Sequence, residues 1–315
     1  MAPPNCSAAS TAVETAVGTM LTVECALGLT GNAIALWTFI YRLKVWKPYA
    51  VYLFNLVMAD LLLATCLPLL AIFYLQGKTW ELGRAPCDVL LFLLAFSRGV
   101  GVAFLTTVAL DRYLRVVHPR LRVNLVSPRA AWVISSLVWL LMVALTPQNL
   151  LAQKATQNST ECPSFYPIGE STWQEVLFFL QLLLPFGLIV FCNTRLIRTL
   201  QERLRESDKQ PRFRRARALV AMVLVLFGLC FLPCVLARVL VHVFWEFESC
   251  LVQRAIVQTS DIAGSLTCLH SVLSPVIYCF SNQAFTHSYR KVLRSLRGWK
   301  KAEEPAVSNL RDSYS

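Results

Sequence analysis

Charge is what this sequence has least of. Only 15% of its 315 residues are Asp, Glu, Lys or Arg, whereas 56% are hydrophobic and mean hydropathy is +0.53. A soluble globular chain carries about a quarter charged residues, so this composition excludes an ordinary soluble enzyme. Catalytic signatures are missing too. No H-E-x-x-H, G-x-S-x-G or glycine-rich phosphate loop occurs, nor do paired carboxylates fall on one predicted face. No Pro-, Gly- or Ser-rich stretch is long enough to be a linker, and no internal repeat is present. Met1 to Gly18 lacks a charged segment ahead of an apolar one, so a short tail translocated without a cleavable signal is expected. Acids are scarcer than bases, 18 against 30 for a net charge of +12. Such an excess suits either a polyanionic partner or a membrane surface, and its location decides between them.

Long apolar stretches recur at roughly 17–41, 50–75, 87–114, 130–150, 174–197, 218–244 and 253–280. Each reaches the ~20 residues that a helix needs to cross a ~30 Å hydrocarbon core. The seventh, with an Asp, a His, several hydroxyls and a Pro, is the least obvious by hydropathy. Asn5 and Asn158 head glycosylation sequons, which belong outside, and Arg290 to Lys301 is a basic segment that belongs inside. An outer start and an inner end require an odd number of crossings. On that topology the inner segments carry +17, the outer ones −4 and the spans −1. This is the positive-inside pattern and excludes a nucleic-acid footprint. The expectation is an all-α membrane protein, a seven-transmembrane helix bundle. Its parts are an extracellular tail (1–16), the bundle (17–281), an amphipathic helix along the inner leaflet (282–297) and a cytoplasmic tail (298–315). Phe285, Tyr289 and Leu293 fall at helical spacing in that eighth helix.

The third span ends in Asp111-Arg112-Tyr113. An arginine beside a carboxylate at the membrane edge can be held in one state and released in another, or it can form a static interfacial pair. Gly31-Asn32 lies in span one, Leu56 to Asp60 in span two, Cys87 at the top of span three and Trp139 in span four. Pro185 follows in span five, Cys230-Phe231-Leu232-Pro233 in span six and Ser274-Pro275-Val276-Ile277-Tyr278 in span seven. Taken as an ordered set, these residues resemble the class A, rhodopsin-like G-protein-coupled receptors over nearly the whole chain. The resemblance implies that Arg112 meets an inserted G-protein helix once span six swings outward, with a hinge at Pro233. It also implies that Asp60 is a sodium ligand. Phe231, Ser274, Asn193 and Gly101 depart from the usual Trp, Asn, Tyr and Ser of the family, and Gly101 puts that sodium site in doubt.

Seven cysteines lie within spans, leaving Cys6, Cys87, Cys162 and Cys250 outside, an even number in an oxidising compartment. The resemblance implies a Cys87–Cys162 disulfide, which leaves Cys6 to Cys250. Two cations lie within spans, Arg98 and Arg238. Each needs a partner, because an intramembrane charge is costly and marks function by default. Arg98 is 14 residues above Arg112, which puts both toward the bundle interior. Either the two guanidiniums receive an anionic ligand, or Arg98 pairs with Asp60 and Arg238 with Asp261. Arg98 and Arg238 match basic positions of the branch that holds the hydroxycarboxylic acid and oxoeicosanoid receptors. That match implies a carboxylate lipid agonist, a hydroxy-eicosanoid, in an apolar sleeve. Leu94, Phe104, Phe178, Phe179 and Leu266 are candidates for the sleeve, and His242 or His270 for the ligand hydroxyl. The resemblance further implies a plasma-membrane location, a Gi-type G protein and arrestin as partners, with Ser308, Ser313 and Ser315 as phosphorylation sites. A receptor for a small hydroxycarboxylic acid and an organic-anion transporter are the alternatives. Span seven has no Lys to hold retinal, which excludes a light receptor.

Overall fold

A computed structural model describes residues 11–118, 127–156, 172–206, 210–244, 250–281 and 283–303. They form eight helices in chain order: α1 (Thr11–Tyr41), α2 (Pro48–Leu75), α3 (Arg84–Val117), α4 (Pro128–Thr156), α5 (Thr172–Glu206), α6 (Gln210–Phe244), α7 (Cys250–Ser281) and α8 (Gln283–Glu303). Seven are long and apolar enough to cross a membrane. The helices outrun the apolar stretches at most ends, because a helix does not stop where hydropathy does. The eighth likewise runs to Glu303 rather than ending at residue 297. α3 sits at the centre against α2, α4, α5 and α7, while α1 packs on α2 and α7, and α6 on α5 and α7.

Prolines inside the helices explain how α1 is joined to its neighbours. Pro68 and Pro275 lack the N–H that would reach the carbonyl four residues back. Both freed carbonyls are satisfied from α1: Cys25 Sγ donates to the Ala64 carbonyl at 3.5 Å, and Asn32 Nδ2 to that of Ser271 at 2.8 Å. Gly31 permits the approach, since a Cβ there would lie 2.8 Å from Pro275 Cγ. Pro48 opens α2 at its first turn, where the missing donor has no intrahelical partner anyway. The α2–α3 connection turns through Gly77, Lys78 and Gly83, all with positive φ. A lysine in the left-handed region costs energy, and its ammonium is held in place by α7, as described below.

The core runs through the middle of the bundle, with Trp139 Nε1 donating to Asn55 Oδ1 at 2.9 Å between α4 and α2. Outward faces of α4, α5 and α6 expose Leu137, Leu140, Leu184, Leu229 and Leu236, as a lipid-facing surface does. α8 docks through buried Phe285, whose ring lies 4.8 Å from Phe39 and 6.0 Å from Tyr278. Tyr289 donates its hydroxyl to the Gly31 carbonyl at 2.7 Å. Burial raises the pKa of that phenol, which keeps it a donor. Leu293, expected on the same apolar stripe, is instead exposed.

Candidate functional site

Arg98 is positioned by two helices. Its Nε donates to the Leu94 carbonyl at 3.0 Å within α3, and Nη1 to Thr267 Oγ1 at 3.1 Å on α7. The Thr267 hydroxyl donates to the Gly264 carbonyl at 2.6 Å, so its lone pairs are left to accept from arginine. Arg98 and Arg238 are both half-buried, on α3 and α6. The planar fork of donors that each carries suits a carboxylate. Of the expected sleeve, Leu94 and Phe104 are fully packed, Phe104 against Trp139 at 6.0 Å, while Phe179 and Leu266 are half-buried. The side chains of His242 and Phe178 lie outside the described residues.

The acids take partners that sequence reasoning missed. Asp261 accepts the Tyr74 hydroxyl at 2.9 Å and pairs with Lys78 at 2.5 Å, rather than serving Arg238. Lys78 sits in a loop 183 residues away, in a left-handed backbone conformation. Asp60 accepts the Tyr278 hydroxyl at 3.0 Å on Oδ2, and its Oδ1 faces His270 Nε2 at 3.5 Å, so it is likewise not the partner of Arg98. His270 is fully buried, with Nδ1 on the Thr267 carbonyl and its ring 5.4 Å from Phe231. It belongs to this polar core. The imidazole fills the volume beside Asp60 that a cation would need. Gly101 is what admits it, since a Cβ there would lie 2.8 Å from Nε2. These residues do not fit a sodium ion.

Glu24 on α1 is buried, and neither carboxyl oxygen has a hydrogen-bond partner among the described residues. At the other end of α3, Asp111 does not hydrogen-bond its neighbour. Both its oxygens accept from Arg115 Nε, at 2.9 and 3.0 Å. Residues one apart on a helix point about 100° from each other, whereas residues four apart meet. Arg112 instead lies over the Tyr49 ring of α2, with Cζ 4.4 Å from the centroid. Tyr113 shares a hydrogen bond of 3.0 Å with His118. Above them Phe231, two residues before Pro233, continues a ladder through Phe227 at 4.5 Å to Phe186 at 5.3 Å.

The seven in-span cysteines are free thiols, whereas Cys87 and Cys250, each in the first turn of its helix, are disulfide-bonded. Cys6, Cys162, Asn5 and Asn158 lie outside the described residues.

The sequence matches the family described as 7 transmembrane receptor (rhodopsin family) over residues 31–278. It is 80% identical over 99% of both chains to the 12-(S)-hydroxy-5,8,10,14-eicosatetraenoic acid receptor of Mus musculus. Identity to the receptor of the same name from Homo sapiens is 63%, again over 99% of both chains. Human hydroxycarboxylic acid receptor 3 is 37% identical, over 91% of this chain and 75% of that one. These relatives are receptors and not enzymes or transporters. The seven spans, the ordered motifs and these matches agree that the chain is a multi-pass plasma-membrane protein belonging to the rhodopsin family of seven-transmembrane receptors.

Proposed function

We propose that the protein is a cell-surface receptor, amino terminus outside, for a carboxylate-bearing lipid of the hydroxy-eicosanoid class, signalling through a Gi-type G protein with arrestin recruited to its tail. The supporting observation is Arg98, a half-buried cation inside a span, fixed between α3 and α7 by Leu94 and Thr267. The names of the two most similar relatives above supply the ligand class. The carboxylate engages Arg98 and Arg238, the hydrocarbon chain runs past half-buried Phe179, and His242 is a candidate for the hydroxyl. Disulfides Cys87–Cys162 and Cys6–Cys250 then brace the outer face, with glycans on Asn5 and Asn158.

Activation follows from the groups that touch. Thr267 contacts Arg98 through its hydroxyl and His270 through its carbonyl, and His270 packs on Phe231 beside the Pro233 hinge. An anion that draws the guanidinium away from Thr267 relaxes this set. α6 then moves outward, and Arg112 leaves Tyr49 for the G protein.

Membranes bearing the receptor test this with the hydroxy-eicosatetraenoic acid and its methyl ester. The free acid should bind with an affinity that falls when a GTP analogue is added, pertussis toxin should abolish its response, and the ester should be far weaker. Equal potency of acid and ester would refute carboxylate recognition. Response to a short 2-hydroxy acid but not to the lipid would favour the small-acid reading that the relative at 37% identity suggests.

A further inference from the structure

The outer end of the bundle carries a polar set that the carboxylate site does not use. Lys78, in the α2–α3 loop, pairs with Asp261 on α7, and Asp261 also accepts the Tyr74 hydroxyl from α2. Asp261 and Tyr74 are buried, whereas the Lys78 side chain is 27% exposed. Its ammonium lies 5.6 Å from the centroid of the Tyr74 ring. An ammonium has more N–H donors than a single acceptor uses, and no second acceptor meets this one among the described residues. Lys78 therefore has donors to spare on a side chain that is partly open. Charge narrows what it can meet. Asp261 neutralises Lys78, so the pair suits an uncharged group that accepts from an ammonium and donates to a carboxylate. A hydroxyl does both.

Position relates this pair to the anchor. Asp261 stands six residues before Thr267, the α7 partner of Arg98, and so about 9 Å further out at ~1.5 Å per residue. Leu91, Leu94, Cys268 and Tyr74 belong to one apolar cluster that spans the interval. Inward of Arg98 the interior is closed by Val100, Phe104, Phe231 and His270, all 3% exposed or less. A chain held by its carboxylate at Arg98 has to extend outward. At the height of Asp261 it is past its first few carbons and short of the end of an eicosanoid. We propose that Lys78 and Asp261 form the subsite for a mid-chain hydroxyl, the ammonium donating to its oxygen and the carboxylate accepting its hydrogen. Tyr74 is the positioning residue that fixes Asp261. The subsite rests on the lipid-acid reading above, and it takes the hydroxyl in place of His242.

Membranes bearing the full receptor test this with three acids: the mid-chain hydroxy-eicosatetraenoic acid, arachidonic acid, which lacks the hydroxyl, and the isomer hydroxylated near its carboxyl end. The unaltered receptor should bind the first roughly tenfold or more tighter than the other two, because a site built to hydrogen-bond a hydroxyl rejects analogues that leave it unpaired. Lys78→Met/Asp261→Asn removes both charges together and leaves neither buried alone. It should weaken the mid-chain hydroxy acid roughly tenfold and leave arachidonic acid unchanged. Lys78→Arg keeps the ion pair but moves the remaining donors, and should lower the preference at an unchanged thermal midpoint. Arg98→Ala should weaken all three acids alike, so the preference survives it. A preference undiminished in either Lys78 variant, equal weakening of the hydroxy acid and arachidonic acid in the double variant, or a preference lost in His242→Ala would overturn the proposal. So would equal affinities for the three acids in the unaltered receptor. Failure of every lipid acid to bind the unaltered receptor would overturn the lipid reading itself, and the subsite with it.

Discussion

Replacing Arg98 by Ala removes a charge whose geometry sets the size of the effect. Among the described residues, Leu94 and Thr267 each take one of its N–H donors, and a ligand carboxylate takes over the Thr267 bond. Truncating one partner of a hydrogen-bonded charge pair costs about 2–5 kcal/mol when the pair is desolvated. Arg98 is half-buried, which places it in the lower part of that range, about 2–3.5 kcal/mol, a loss of roughly 30- to 300-fold in acid affinity. Arg98→Lys keeps the charge but loses the fork and the Leu94 bond, for about a tenfold loss. Thr267→Val removes the hydrogen bond that the acid displaces and should raise acid affinity two- to tenfold, at about 1 kcal/mol. Competition binding on cells matched for surface expression ranks the three variants, with the methyl ester as control. The ester should be weak on the unaltered receptor and should lose little more in Arg98→Ala. Full acid affinity in a well-expressed Arg98→Ala receptor would refute the assignment, and a loss of acid affinity in Thr267→Val would refute the exchange of Thr267 for the carboxylate.

The remaining acids and Gly101 make further claims. Lys78→Ala leaves the Asp261 carboxylate, 4% exposed, with Tyr74 but without its cation. That should cost about 1–3 kcal/mol and lower the unfolding midpoint in detergent, and adding Asp261→Asn should recover part of the loss; an unchanged midpoint in the single variant contradicts the pairing. Glu24→Leu, which replaces a buried carboxyl lacking a hydrogen-bond partner among the described residues, should raise the midpoint because the buried polar group is no longer desolvated; a fall would mean that the carboxyl is engaged. Exchanging sodium for choline should leave agonist affinity unchanged, since His270 fills the space beside Asp60, and sodium sensitivity would show that the imidazole moves aside. Gly101→Ala should destabilise by about 1–3 kcal/mol through overpacking, with His270→Ala as its suppressor in the same thermal assay.

The seven crossings were legible in the sequence because hydropathy and charge asymmetry are properties of segments, and a segment needs no knowledge of its neighbours. Arg98 stood out for a related reason: a cation inside an apolar run is anomalous by itself. Partners were another matter. Asp111 beside Arg112 reads as a pair in one dimension, yet the helix turns them apart and gives the acid to Arg115. Counting in-span charges leaves Arg238 as a candidate partner for Asp261, but the cation that Asp261 meets, Lys78, comes from a loop whose backbone conformation no composition reveals. Gly101 read as a missing ligand, and only the packing shows that it is the space into which His270 fits. One signal went unused. Each of the helix-interior prolines at 68 and 275 orphans a carbonyl, and α1 holds a polar side chain at the height of each, Cys25 and Asn32.

Thr267 is the residue on which these observations meet. Its hydroxyl accepts from Arg98 and its carbonyl meets His270, so one short stretch of α7 touches both the proposed ligand anchor and the aromatic ladder of α6. Magnitudes make this arrangement sufficient. Allosteric coupling of 1–3 kcal/mol changes affinity by roughly 5- to 150-fold, and one neutral hydrogen bond with its orphaned partner is worth about that much. No long-range strain is required, only that Arg98 exchange Thr267 for a carboxylate while α6 has two resting positions about Pro233. On the proposed route, reciprocity follows from linkage: a G protein that holds α6 outward must weaken the Arg98–Thr267 contact by the same free energy. It thereby frees the guanidinium for the acid before any acid has bound.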